Sequence, residues 1–169
     1  MYRDKLGIYL NDHLAGATFG IGLAQRIAHR HRHSARSADR QRICDEIAQD
    51  RRSLLEVMDA LEVPARRYKV SGGWVAERLG RLKPNGVLYR RSGLSTLIEP
   101  ETLRLGVGGK TLIWRTLLIV AAGKPRLDES QLHHLLERAR DQIDTLETLR
   151  LAAAEAVFSS RARSVTDGP

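Results

Sequence analysis

The sequence predicts an all-α protein: a four-helix bundle with a short extra helix between the second and third long helices. Three observations carry this. Apolar residues recur every three or four positions over four long stretches, no stretch alternates with the period of two that a strand requires, and the connections are short. At 169 residues the chain fits one domain with a sizeable core. With only two Phe, two Trp and four Tyr, that core must be aliphatic.

The first helix is expected from about Arg3 to His31, with Leu6, Leu10, Leu14, Ala17, Ile21, Ala24 and Ala28 on its inner face. Gly16 and Gly20, one turn apart, suit close approach by another helix. The second helix should begin near Ser37 or Ala38, capped by Ser37 or Asp39, and end at Val63 before Pro64. Its stripe is Ile43, Ile47, Asp50, Leu54, Val57, Met58 and Leu61, so one member is an acid. A shorter helix over Ala65 to Leu82 is weakened by Gly72 and Gly73, and Lys83 to Gly86 reads as a turn. Val87 to Glu99 has no clean period and is expected to be irregular. Pro100 suits the first position of the third helix, which should run to Ala122. Asp128 is the N-cap candidate of the fourth, whose stripe runs from Leu132 through Gln142 to Val157. Residues 1–158 are read as the bundle and 159–169 as a flexible tail.

The net charge of +8 is uneven. Residues 1–127 hold 23 basic and 12 acidic side chains, a surplus of 11, whereas residues 128–169 hold 5 and 8. The surplus suits an anionic partner, or simply an Arg-rich composition. Two groups stand out. Arg30, Arg32, Arg36, Arg40 and Arg42 surround the first connection. Arg66, Arg67, Lys69, Arg78, Arg81, Lys83, Arg90 and Arg91 interleave with Tyr68, Trp74 and Tyr89, which could stack on bases. No helix-turn-helix spacing accompanies them. The start of the chain lacks a signal-peptide pattern and no span is apolar enough for a membrane helix. A cytoplasmic protein is expected, and its single Cys44 fits a reducing compartment.

Candidate chemistry is sparse. The run GVGGKT, Gly106 to Thr111, has the ending of a phosphate loop, but Arg104 stands where the motif needs its first glycine and no strand precedes it. His29, His31 and His33 alternate with arginine, so only His29 and His33 share a helix face. Cys44 is flanked by Asp45 and Glu46, which raise a thiol pKa, and no nucleophile elbow occurs. The sharper possibility is a metal site from His13, Glu46 and Asp50 between helices. A buried carboxylate must be neutral, paired or metal-bound. Bundle metal sites use Glu-x-x-His pairs, and the chain has none. A turn near Ser34 or Ala35 also sets His13 level with about Val57, away from Asp50. The alternative is an internal salt bridge or hydrogen bond from Asp50, to an Arg or to His13 through water. No catalytic, cofactor-binding or metal residue is therefore assigned.

The stretches YLNDHLAGA, EIAQDRRSLLEVMDALEV, WVAERLGRLKPNG and LGVGGKTLIWRTL resemble a group of small uncharacterised actinobacterial helical proteins, over most of residues 6–155. The layout is similar to the ferritin-like superfamily, whose members often hold two metal ions. The chain departs from that pattern in lacking both Glu-x-x-His pairs. The expected function is a non-catalytic helical scaffold or interaction module, with a protein partner or self-association, no cofactor and no membrane. The alternatives are a basic nucleic-acid or anion binder and, third, a ferritin-like metal-carboxylate protein.

Overall fold

A computed structural model describes residues 2–66 and 93–163. The described residues form four helices and no strand: α1 Tyr2–Arg30, α2 Ser37–Ala60, α3 Ser95–Ala121 and α4 Glu129–Arg163. The six-residue connection after Arg30 folds α2 back along α1, and the seven-residue connection after Ala121 folds α4 back along α3. Cross-helix contacts fix the directions. Tyr9 meets Thr116 and Arg30 meets Glu99, so α1 and α3 are antiparallel. Arg42 meets Thr145 and Asp50 meets Arg138, so α2 and α4 are antiparallel. Consequently α2 and α3 run the same way.

The four apolar stripes close one core. It contains Leu10, Leu14, Ile43, Leu54, Met58, Leu103, Ile113, Leu117, Leu132, Leu146 and, largest of all, Trp114. Aliphatic side chains dominate it, as the scarcity of aromatics requires. Only Asn11, Asp50 and Gln142 are buried polar residues among those described.

Local chemistry explains the boundaries. α2 stops at Ala60, three residues before the expected end, because the chain closes a Schellman motif there. Glu62 takes the left-handed conformation at φ 56°. Its N–H donates to the Asp59 carbonyl at 2.9 Å, and the Val63 N–H donates to that of Met58 at 2.8 Å. Val63 is thereby buried against Gly7. The exposed chain beyond it is tied to α1 by Asn11. The Asn11 amide donates to the Gly7 and Pro64 carbonyls at 2.8 and 3.2 Å and accepts from the Arg66 N–H at 2.7 Å.

The start of α2 is not capped by Ser37 or Asp39. The flanking residue is Arg36, which makes no side-chain cap, and Asp39 lies within the first turn, where the dipole favours its charge. α3 begins at Ser95, so part of the stretch expected to be irregular is helical and Pro100 lies inside the helix. Leu97 and Pro100 are both buried, and their packing extends the inner stripe N-terminally at the expense of one backbone hydrogen bond. Asp128 caps α4 as expected, accepting from the Ser130 and Gln131 N–H groups at 2.9 and 3.2 Å. α4 continues through Arg163, into the stretch expected to be a tail. Of the helix expected over Ala65 to Leu82, Ala65 and Arg66 are not helical and residues 67–82 lie outside the described residues, as do the turn at Lys83 and most of the second basic group.

Candidate functional site: a closed polar cluster inside the bundle

Asp50 points inward from the stripe of α2 and is 2% exposed. Two cations reach it. Lys110 from α3 donates through Nζ to Oδ2, and Arg138 from α4 donates through a terminal guanidinium nitrogen to Oδ1. Gln142, one turn beyond Arg138 and fully buried, donates to Asp50 Oδ2 at 3.1 Å and to Glu46 Oε2 at 3.0 Å, while its carbonyl accepts from Lys110. Arg138 also donates to Gln49 at 3.3 Å. Asp50 thus meets one ammonium and one guanidinium, Glu46 meets the guanidinium of Arg42, and the Gln142 amide bridges the two carboxylates.

Each member arrives by helical geometry. Glu46 and Asp50 are four residues apart on α2, as are Arg138 and Gln142 on α4, so each pair projects from one face. Lys110 falls in the inner row Leu103, Val107, Trp114, Leu117 and Ala121 of α3. Burial lowers the Lys110 pKa, and the neighbouring Asp50 carboxylate opposes that shift. An isolated carboxylate or ammonium could not remain charged in such a core; mutual pairing is what makes it tolerable, although the buried Arg138 Nε is left without a hydrogen-bond partner.

The GVGGKT run is therefore no phosphate loop. It is the middle of α3, where the Thr111 hydroxyl donates to the Gly108 carbonyl and Lys110 is engaged inside. The sequence placed Asp50 in a core stripe and pointed to an internal salt bridge to an Arg, which Arg138 makes; it did not single out which Arg, and Lys110 was missed. The signal for Lys110 was its place in the 3–4 spacing of apolar residues on α3.

His13 is separate from this cluster. It packs edge-on against Tyr9, with ring centroids 4.6 Å apart. Arg51 Nε donating to Thr18 Oγ1 at 3.0 Å and Gly20 beside Ile47 fix the α1–α2 register, which puts His13 near the level of Glu56. Among the described residues no group of three or more His, Cys, Asp or Glu is placed to hold a metal ion. Nor do His29 and His33 share a helix, since α1 ends at Arg30.

Around the first connection most arginines meet acceptors. Arg30 pairs with Glu99 at 2.8 Å, Arg42 with Glu46 at 3.2 Å and Arg36 with Asp39 at 3.8 Å. Arg40 donates to the Ser34 hydroxyl at 2.7 Å. Half-burial, Arg40 and Arg30 lower the His31 pKa, opposed by Glu99. Burial, and secondarily Asp45, raises the Cys44 thiol, which suits packing and not nucleophilic attack.

Most glycines on the helices are not required by close helix packing among the described residues. A Cβ at Gly16, Gly106, Gly108 or Gly109 would meet nothing within 4 Å, and one at Gly20 would touch Ile47 at an ordinary 4.0 Å. The close approach expected at Gly16 and Gly20 is absent at Gly16, and Gly20 makes only ordinary contact with Ile47 of α2.

No family model, curated protein or solved structure matches the chain. No helix of the described residues is long and apolar enough to cross a membrane.

Proposed function

We propose that this protein is a non-catalytic helical-bundle module that works through its surface, as a scaffold or interaction unit, in a ferritin-like layout without ferritin-like chemistry. What supports the layout is two antiparallel helical hairpins whose second and third helices run parallel, as in bundles of that kind.

One observation carries the functional reading: the interior carboxylates are saturated by the protein itself. Asp50 has Lys110, Arg138 and Gln142 on its two oxygens, where a metal-carboxylate protein would present open lone pairs to ions. A metal ion entering there would have to displace an ammonium and a guanidinium already in place.

Metal analysis of protein purified without an affinity tag tests this. The expected result is no stoichiometric iron, manganese or zinc. Stoichiometric metal that is lost in Asp50→Ala and retained in His33→Ala would overturn the reading in favour of a metalloprotein.

A further inference from the structure

The first connection gathers cations that the chain leaves unbalanced. Residues 26–42 hold six arginines and three histidines against one carboxylate, Asp39. The α1–α2 register sets Arg42 level with about Arg26, so these arginines lie within about two turns of one end of the bundle. Two carboxylates from outside the stretch reach it. Glu99 of α3 takes Arg30 and Glu46 takes Arg42, while Asp39 takes Arg36. Arg26, Arg32 and Arg40 are left over, with no ion pair among the described residues. The Arg32 guanidinium donates to the His29 carbonyl at 3.4 Å and that of Arg40 to the Ser34 hydroxyl at 2.7 Å, both neutral acceptors. Arg26 and Arg32 are exposed and Arg40 is half-buried. Burial, and secondarily Arg36, hold the Arg40 pKa below its ordinary value against the pull of Asp39. Elsewhere the sequence has no negative charge to spare for this end. Residues 67–92 carry seven cations and one carboxylate, and residues 164–169 one acidic side chain.

We infer that this end of the bundle binds the phosphate backbone of duplex nucleic acid through Arg26, Arg32 and Arg40; this rests on the surface-acting reading above and names its partner. The guanidinium fork matches phosphate oxygens, and attraction to a row of phosphates needs no contact with base edges. The make-up of the patch argues against other anionic partners. No large exposed apolar side chain belongs to residues 26–42. The patch therefore has nothing to insert beneath lipid headgroups, and it lacks the apolar centre of a protein interface. It also holds no Phe, Tyr or Trp on which unpaired bases would stack, so a duplex suits it better than a single strand. Three phosphates make a weak, sequence-independent contact whose strength is governed by salt.

Fluorescence anisotropy of a labelled DNA duplex, titrated with the untagged full chain, reads the contact directly. The expected dissociation constant is on the order of 10 μM at about 50 mM salt. It should weaken about 40-fold by about 200 mM, because three phosphates give a slope of about −2.7 in log affinity against log salt. Arg26→Glu with Arg32→Glu should weaken binding about tenfold or more, and Gln at both positions should cost less than Glu. Both side chains are exposed, so circular dichroism of these variants should match the parent. Arg115→Glu with Lys124→Glu makes the same change in net charge at exposed positions toward the C-terminal end of α3, and should leave binding within about twofold of the parent. No binding at about 50 mM salt overturns the proposal. Affinity indifferent to salt, or to Arg26→Glu with Arg32→Glu, also overturns it. Equal losses in the two charge-reversed pairs do the same, since net charge alone would then account for the binding. Tighter association with poly-glutamate than with the duplex would assign the patch to an acidic protein instead. None of these outcomes bears on bound metal, so failure here is distinct from failure of the functional reading.

Discussion

At Asp50 a single side chain holds three helices in electrostatic account with one another. Asp50→Ala would leave the mostly covered Lys110 and Arg138 without the carboxylate they share, and breaking such a pair costs about 3 kcal/mol or somewhat more. Replacing Asp50, Lys110 and Arg138 together by Leu, Met and Leu should recover most of that loss, since no orphaned ion remains. Urea denaturation of the single and triple variants checks both. His31 makes a second prediction. Its native form binds a proton less readily than the unfolded chain, whose imidazole has the ordinary value of 6.5. Stability from this group is therefore intact above that value and falls as pH drops below it, until the native form is protonated too. Between pH 7 and 5.5 the parent should lose more of its urea midpoint than His31→Gln does.

These residues also show what a sequence can disclose. The inward position of Asp50 follows from the period of α2, and the α1–α2 register follows from a short connection, which already separates His13 from it. The partners of Asp50 were harder to see. Lys110 stood within a glycine-rich run that drew attention to phosphate chemistry, although its spacing from Val107 and Trp114 marks it as inner. Arg138 lies at the edge of its helix's stripe, and only the assembled helices reveal which cation turns inward.

Among the helices, boundaries were set by chemistry that periodicity does not register. Pro100 looked like a first helical residue because proline is favoured there, yet burial of Leu97 and Pro100 outweighs one lost hydrogen bond. α2 ends early because the backbone at Glu62 turns left-handed, a conformation that favours glycine. Glu62→Gly should raise stability by about 1 kcal/mol, since the Arg126 pair it removes is exposed and worth little. Asn11→Ala should act the other way, losing about 2–3 kcal/mol, because it strips the Pro64 carbonyl and Arg66 N–H of their partner on α1. Thermal and denaturant melts of the two variants give the signs. In α3, Gly109→Ala should stabilise the monomer by about 1 kcal/mol, its added methyl meeting open space.

Across the whole molecule, the internal cluster divides unevenly between the two hairpins. Glu46 and Asp50 belong to residues 2–66, and Lys110 and Arg138 to residues 93–163. The bundle can thus be regarded as a complex of two unlike halves that happen to share a chain. Alone, the first half would expose the Asp50 carboxylate on its inner face, Glu46 keeping Arg42 beside it, and the second half would expose two cations. Neither half should pair stably with itself, since like charges would be forced together in a dry seam. Expressed as separate polypeptides, the halves should find one another in preference to their own kind, by the same neutralisation that keeps the intact protein's interior silent.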